Sequence, residues 1–315
     1  VKQKTTKAKY RLRNWKEYNA SLKQRGSLTF WISPDVVEGW INTKRNGKRG
    51  RDLTFTDAAI QTMLLVQEFF HLGLRQTEGF VESVFALLGA GSLNVPDYTT
   101  LCRRRKALEV ALPRVRAGES IHVLVDSTGM KVFGEGEWKV RRHGYTKRRT
   151  WRKLHIGVDA EQGEIVAAMV TTNDCTDGQV LPDLLEQIPE TVTDVTGDGA
   201  YDKRNCYDAI RQRGARAKIP PRRGAKIWRH ANTKAERLAR DENLRRIRKV
   251  GRAQWKRESG YHQRSRVEAT MFQLKTIFGD KVSARTFEGQ AAQMLLRCAA
   301  LNKLNQLPKA QSYKV

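Results

Sequence analysis

Residues 121–129 read IHVLVDSTG, and residues 153–172 read KLHIGVDAEQGEIVAAMVTT. The first is a run of β-branched and apolar side chains that stops at an Asp and turn formers, which predicts a strand. The second reads as two strands joined by a Gly-containing turn. Downstream, GQVLPDLLEQI (178–188) is helical, and TVTDVTGDGAYD (191–202) is a further strand that stops at Gly197, Asp198 and Gly199. KRNCYDAIRQRG (203–214) predicts a helix closed by Gly214, and ARAKIPPR (215–222) a last short strand before Pro220 and Pro221. The order βββαβαβ, with adjacent early strands and later alternation, predicts an α/β fold: a mixed sheet with helices on its faces.

Upstream of Ile121 the period is helical. NWKEYNASLKQRG (14–26) runs from an N-cap candidate, Asn14, to a stop at Gly26, and SPDVVEGWI (33–41) puts Ser33 at the N-cap with Pro34 first in the helix. Beyond the Gly-, Lys- and Arg-rich loop NTKRNGKRGRD (42–52), Thr56 to about Leu72 and Thr77 to about Leu88 read as core helices. VPDYTTLCRRRKAL (95–108) then starts on turn residues and runs into a basic helix. As a third element after two helices and a turn, it is similar to the recognition helix of a helix-turn-helix. Arg103, Arg104, Arg105 and Lys106 are its candidate DNA contacts. A solvated basic helix packed on a bundle is the alternative.

The charge is the unusual quantity. Over 315 residues, 59 Lys and Arg stand against 33 Asp and Glu, a net +26. The basic residues are spread over several segments and not gathered in one amphipathic helix, so the polyanion they fit is nucleic acid, not a membrane surface. The apolar run AAIQTMLLVQEFFHLGL is broken by Gln67 and Glu68, so no membrane span is expected. The basic start VKQKTTKAKYRLR lacks an apolar stretch after it and does not read as a secretory signal. Four scattered cysteines form no C-x-x-C pair and read as reduced thiols of a cytoplasmic protein. Residues 222–257 hold 14 Lys or Arg and three acids. Its stretch KAERLARDENLRRIRKV (234–250) has helical propensity; a like-sign block this dense is often solvated or disordered, and in a DNA-binding chain it makes a DNA-facing helical insertion. The expected organisation is a basic flexible arm over 1–13, a helical DNA-binding region over 14–115, and a catalytic domain over 116–315 that carries the basic insertion 222–257.

Residues 261–275, YHQRSRVEATMFQLK, place Tyr261, Arg264, Glu268 and Lys275 at offsets 0, 3, 7 and 14. On a helix of ~3.6 residues per turn these fall within roughly a 60° sector. Val267, Met271, Leu274 and Phe278 form a separate apolar stripe, the docking face of an amphipathic helix. Two Asp residues, Asp126 and Asp198, sit at strand ends beside turn residues. Each alone is an ordinary turn former. A helix docked on the sheet brings Glu268 near both, and three carboxylates without His or Cys favour a hard ion such as Mg²⁺ or Mn²⁺. Two such ions ~3.5–4 Å apart support in-line displacement at a phosphodiester. Arg264 and Lys275 then suit flanking phosphates, and Tyr261 stacking or a hydrogen bond. A plain i,i+4 ion pair between Arg264 and Glu268 is the competing explanation.

The spacing Y-x2-R-x3-E-x6-K, filled by Tyr261, Arg264, Glu268 and Lys275, matches the signature of bacterial insertion-sequence transposases of the DDE type. With HVLVDSTGMKV, RRHGYTKRRTWRKLHIGVD and VTGDGAYD, the chain resembles the insertion sequence five family over most of residues 14–306. The resemblance implies a ribonuclease H-like catalytic domain with Asp126, Asp198 and Glu268 as catalytic and metal-binding residues. It implies two Mg²⁺ ions per site, replaceable by Mn²⁺, with Asp126 bridging them. It also implies cleavage that frees 3′-OH ends at terminal inverted repeats, joining of those ends to target DNA, a homodimer or higher assembly on DNA, and a bacterial, nucleoid-associated location. A non-catalytic DNA-binding derivative and a plain metal-dependent nuclease of this fold are the rivals.

Asp159, Asp174, Asp177, Asp194 and Asp202 fill no position of the signature and are expected to be structural or supporting. His143 and His155 read as packed or solvated, with a general base after a strand as the alternative. Trp138 and Trp151, with basic neighbours, either stack on an unpaired base of DNA or fill the core of a hairpin loop.

Overall fold

The computed structural model describes residues 10–43, 52–114, 120–132, 151–229 and 237–315. Its centre is a mixed sheet. Strand β2 (Ile121–Val132) pairs antiparallel with β3 (Trp151–Asp159), and β3 with β4 (Ile165–Thr172). On the other side of β2, strands β5 (Val192–Thr196) and β6 (Arg216–Lys218) run parallel to it, giving the order β4-β3-β2-β5-β6. A two-residue strand, β7 (Lys281–Val282), pairs parallel with the far end of β2. The three antiparallel strands and the two parallel additions are those expected from residues 121–222, and the predicted mixed α/β architecture is present.

Strand β2 is buried on both faces, so its side chains divide by the two-residue period. Leu124 and Met130 enter one core, Val123 and Val125 the other. Helices α7 (Asp177–Glu186) and α8 (Arg204–Gln212) cover the Val125 side. Helices α11 (Ser265–Phe278) and α12 (Phe287–Asn305) cover the Leu124 side. Val267, Met271, Leu274 and Phe278 are all buried there, as the stripe predicts.

The N-terminal helices are α1 (Trp15–Gln24), α2 (Leu28–Trp31), α3 (Pro34–Glu38), α4 (Asp57–Phe69), α5 (Leu74–Leu87) and α6 (Tyr98–Arg105). The Thr56 hydroxyl caps α4 by accepting from Ala59 N. Helix α5 starts three residues before the expected Thr77. The Gln76 side chain accepts from Gly73 N at 2.7 Å and satisfies a donor that the helix end would otherwise leave unpaired. These helices share one core with α11, α12 and the sheet, so the change of element type near residue 115 is not a break in packing. Glu68 on α4, itself buried, accepts from Gln293 Nε2 at 2.9 Å and from Arg297 Nε at 2.8 Å on α12. Removing one partner of so buried a pair costs about 3–5 kcal/mol.

Two expectations change. Strand β2 does not stop at Asp126 but continues through its turn-forming residues to Val132, held by its pairing with β3, so Asp126 lies within the strand and not at its end. The end of the arm over 1–13 is ordered: β1 (Tyr10–Leu12) pairs antiparallel with β8 (Ser312–Lys314), and Arg13 N donates to Gln311 O. The partner lies at the far end of the chain, where local composition gives no sign of it. The described part of the basic block is helical, in line with its propensity, and forms α9 (Ala239–Val250) and α10 (Arg252–Glu258). Its rare acids do the anchoring. Asp241, fully buried, accepts from Trp228 N and Arg229 N, while Arg240 donates to Asp202 Oδ1 at 2.7 Å and lies 3.9 Å above the Trp228 ring. Among the described residues, no helix is long and apolar enough to cross a membrane.

Candidate active site

The parallel pairing of β2 with β5 sets Leu124 opposite Thr196. Two residues further along each strand direction lie Asp126 and Asp198, so the register brings both to one level where β5 ends. Asp126 shares the face of Leu124 and Met130 and turns towards α11. Its Oδ1 accepts from Ser127 N at 2.8 Å and its Oδ2 from Arg264 Nη1 at 2.8 Å. Asp198 leaves β5 through Gly197, where a Cβ would stand 2.8 Å from the Tyr201 ring and 3.0 Å from Val125 Cγ2. Asp198 Oδ1 then accepts from Ala200 N at 2.8 Å and fixes the turn.

Glu268 comes from the opposite wall. A tight turn over Tyr261–Arg264, entered through Gly260 at φ 68°, leads into α11 and brings Arg264 of the polar sector to Asp126 on β2. Glu268 is 54% exposed, and its Oε1 accepts from Arg264 Nη2. The Arg264 fork thus joins Asp126 to Glu268. Both the i,i+4 ion pair and the long-range contact exist, through the two ends of one guanidinium.

Burial pushes the Asp126 carboxyl above its usual range. The charges of Asp198 and Glu268 push the same way, against the Ser127 N–H and Arg264. Burial likewise raises the Tyr261 hydroxyl, which feels Asp198, Asp126 and Glu268. Asp126 thus feels two further carboxylates, an arrangement that calls for positive charge. Arg264 supplies it in this state. Among the described residues, no three His, Cys, Asp or Glu side chains stand close enough together to ligate one ion as they are. The donor set, oxygen only and negatively charged, fits a hard divalent cation once Arg264 yields its two carboxylates.

The opposite face of β2 carries a second polar group. Ser127 Oγ donates to Asp177 Oδ1 at 2.8 Å, and Lys153 Nζ donates to the same oxygen at 2.7 Å and to Cys175 O at 3.0 Å. His155, fully buried, has Nδ1 3.6 Å from Asp177 and Nε2 2.9 Å from Thr171 Oγ1. Tyr201, also fully buried, has a hydroxyl with no hydrogen-bond partner among the described residues. Asp177 therefore braces the strand at the residue after Asp126. Asp177 is among the acids expected to be structural or supporting; the partner it supports, Ser127, lies 50 residues away from it and cannot be named from spacing.

The remaining candidates separate. Lys275 lies on α11, two turns beyond Glu268, and is half-buried. Tyr261 is only 9% exposed: Trp255 packs on it with 5.8 Å between ring centroids, and Lys256 Nζ stands 5.0 Å from its centroid. Its ring is thus a packing element, not an open stacking surface. On α6, Arg104 is tied down, donating to Phe55 O at 3.0 Å and to Asp57 Oδ1 at 2.6 Å. Arg105 is half-buried, whereas Arg103 and Lys106 are exposed. Trp138 and His143 lie outside the described residues. Trp151 stands over Gly129, where a Cβ would meet its ring at 3.1 Å, with Lys131 Nζ 5.8 Å from the ring. The aromatic that sequence reading passed over is Phe272. Its offset of four from Glu268 placed it in the polar sector, which was the available sign.

Residues 117–303, more than half of the chain, match the family model described as the Transposase DDE domain, and residues 23–135 match a second model of the same description. The chain belongs to the DDE transposase domain family. Transposases of this family generally use divalent metal ions. Among solved structures, the chain is similar to the piggyBac transposase in its synaptic complex with hairpin DNA, with 8% identity over 90% of this chain and 73% of that one and a TM-score of 0.35. It is also similar to the Drosophila P element transposase in its strand transfer complex, with 14% identity over 57% of this chain and 41% of that one and a TM-score of 0.28.

Proposed function

We propose that this protein is a DNA transposase of the insertion sequence five type, with a ribonuclease H-like catalytic domain. It binds the ends of its own element, cleaves the DNA to free 3′-OH ends, and joins them to target DNA. The observation that carries this reading is the Arg264 fork that joins Asp126 to Glu268, with Asp126 also feeling the charge of Asp198, within a chain of the DDE family.

Asp126, Asp198 and Glu268 would hold two Mg²⁺ ions, with Mn²⁺ as a substitute. Bound there, such ions activate an attacking oxygen and stabilise a leaving oxygen at a phosphodiester. The side chains of the protein supply binding and orientation. Arg264 releases its carboxylates and forks onto a phosphate, and Lys275 adds a point charge two turns along the same helix. Ser127 N and the Ala200 N–H each keep one carboxylate oxygen directed. The net charge of +26 draws the DNA backbone in, which makes binding steeply salt-dependent. Holding two DNA ends together calls for a dimer or higher assembly on DNA.

The test is incubation of the purified protein with a fragment spanning the flanks of its own gene and a supercoiled target, in Mg²⁺ or EDTA. Metal-dependent 3′-OH ends at the element boundary, joined to target, are the expected products. Cutting without end preference would make it a nuclease, and tight end binding without any product in Mg²⁺ or Mn²⁺ a non-catalytic binder.

A further inference from the structure

We infer that Phe272 is a stacking platform for an unpaired nucleobase beside the scissile phosphate, an assignment that rests on the transposase reading above. A single exposed apolar side chain is ordinary on any protein. Phe272 is distinguished by where it stands. It is 72% exposed. The apolar stripe of α11 is already complete without it, since Val267, Met271, Leu274 and Phe278 make the contact with the core. Of the three aromatic residues between Tyr261 and Phe278, Phe272 alone opens to solvent, the other two being 9% and 4% exposed.

Phe272 follows Glu268 by four residues, about 40° round the helix and ~6 Å along it. Lys275 follows Phe272 by three. Along the helix axis the ring therefore lies between a carboxylate of the candidate active site and a phosphate-binding candidate, about 40° round from Glu268 and about 60° from Lys275. DNA rises ~3.4 Å per nucleotide along a strand, so ~6 Å reaches a base about two nucleotides from the phosphate at Glu268. A phenyl ring offers no hydrogen bond to a base edge. It offers a flat apolar face, which every base matches. The occupant that fits is an unpaired base with its phosphate on Lys275 or Arg264, so that Phe272 holds the strand end open without reading its sequence.

The experiment uses the full chain in EDTA, where no cutting competes. Two probes of one sequence are titrated: a blunt duplex, and the same duplex with a frayed end that carries 2-aminopurine at successive unpaired positions. With wild type and Phe272→Trp, fluorescence should change at the positions nearest the duplex junction. With Phe272→Ala the change should vanish, and binding of the frayed probe should weaken roughly 5- to 150-fold while the blunt probe is unaffected. Phe272→Leu, which keeps apolar bulk without a ring, should behave as Phe272→Ala does. Equal titrations and equal fluorescence in all variants overturn the inference. So does a Phe272→Ala protein whose sedimentation changes while its fluorescence response does not, since a second copy of the chain would then cover the ring. Cutting of the gene flanks in Mg²⁺ is read separately. A ring-dependent signal without any cutting removes the transposase reading and leaves Phe272 a base platform with no scissile phosphate beside it, which overturns the inference as stated; cutting without a ring-dependent signal overturns the platform and keeps the transposase reading.

Discussion

Arg264 Nη1 donates to Asp126 Oδ2 at 2.8 Å, joining residues 138 positions apart, while Nη2 of the same side chain donates to Glu268 one helical turn away. A cation that holds two acids of a cluster together stands where a metal ion would compete with it. Replacing Arg264 with Ala should leave the carboxylates to repel one another and lower stability in EDTA by about 1–2 kcal/mol, a figure reduced for the partial exposure of the group. Added Mg²⁺ should then raise the melting temperature of the variant more than that of wild type, because the ion meets no internal competitor. Equal shifts in the two proteins, by calorimetry across a Mg²⁺ series, would separate the fork from the metal site.

Glu268→Gln and Asp126→Asn preserve shape and remove charge. Each should keep DNA binding within about threefold and reduce cleavage in Mg²⁺ by at least about 100-fold, since an amide is a poor ligand for a hard cation. Gel shift and a strand-specific cleavage assay on the same preparations separate the two effects. Wild-type cleavage by Glu268→Gln would remove that residue from the site.

The basic helix α6 divides by what its arginines already touch. Arg103 and Lys106 are exposed, whereas Arg104 is committed to Phe55 O and Asp57. The double variant Arg103→Ala with Lys106→Ala should weaken end binding and reduce the slope of log K against log salt by about 2. Arg104→Ala should leave that slope unchanged and cost about 1 kcal/mol of stability in urea unfolding. Binding curves that treat the two variants alike would take α6 off the DNA.

Much of this could be read along the chain because it depends on local pattern. β-Branched runs gave β2 to β5, and the two-residue period around Leu124 fixes which face Asp126 takes. The i, i+4, i+7, i+11 stripe from Val267 fixed the face of α11, and with it the direction of Glu268. What could not be read depends on partners far away in sequence. Tyr10–Leu12 finds its strand at Ser312–Lys314, and Glu68 finds Gln293 and Arg297. The basic block folds because Asp202 and Asp241 receive Arg240, Trp228 and Arg229, which a count of charges hides. Tyr261 looked free by spacing, and Trp255, six residues earlier, buries it.

Two histidines, His155 fully buried and His122 half-buried, give the protein a pH dependence with a definite sign. Burial pulls His155 down to about 4, with Lys153 adding to the effect and Asp177 opposing it. Burial pulls His122 down to about 4 as well; Lys218 adds to it, and Asp194, Asp159 and the Gln263 side chain oppose it. In the unfolded chain both revert to about 6.5. Between these values the unfolded state binds more protons, so stability rises with pH. Their contribution is complete above pH ~6.5 and is lost as pH falls through ~4. Urea unfolding at steps from pH 7.5 to 4.5 should therefore show a decline of a few kcal/mol, beginning below about pH 6.5. His155→Gln, which keeps a donor for Thr171 but takes up no proton, should start less stable at pH 7.5 and decline less steeply. A wild-type profile that is flat over this range, or a variant with the same slope, would mean that both imidazoles are already free to protonate in the folded protein.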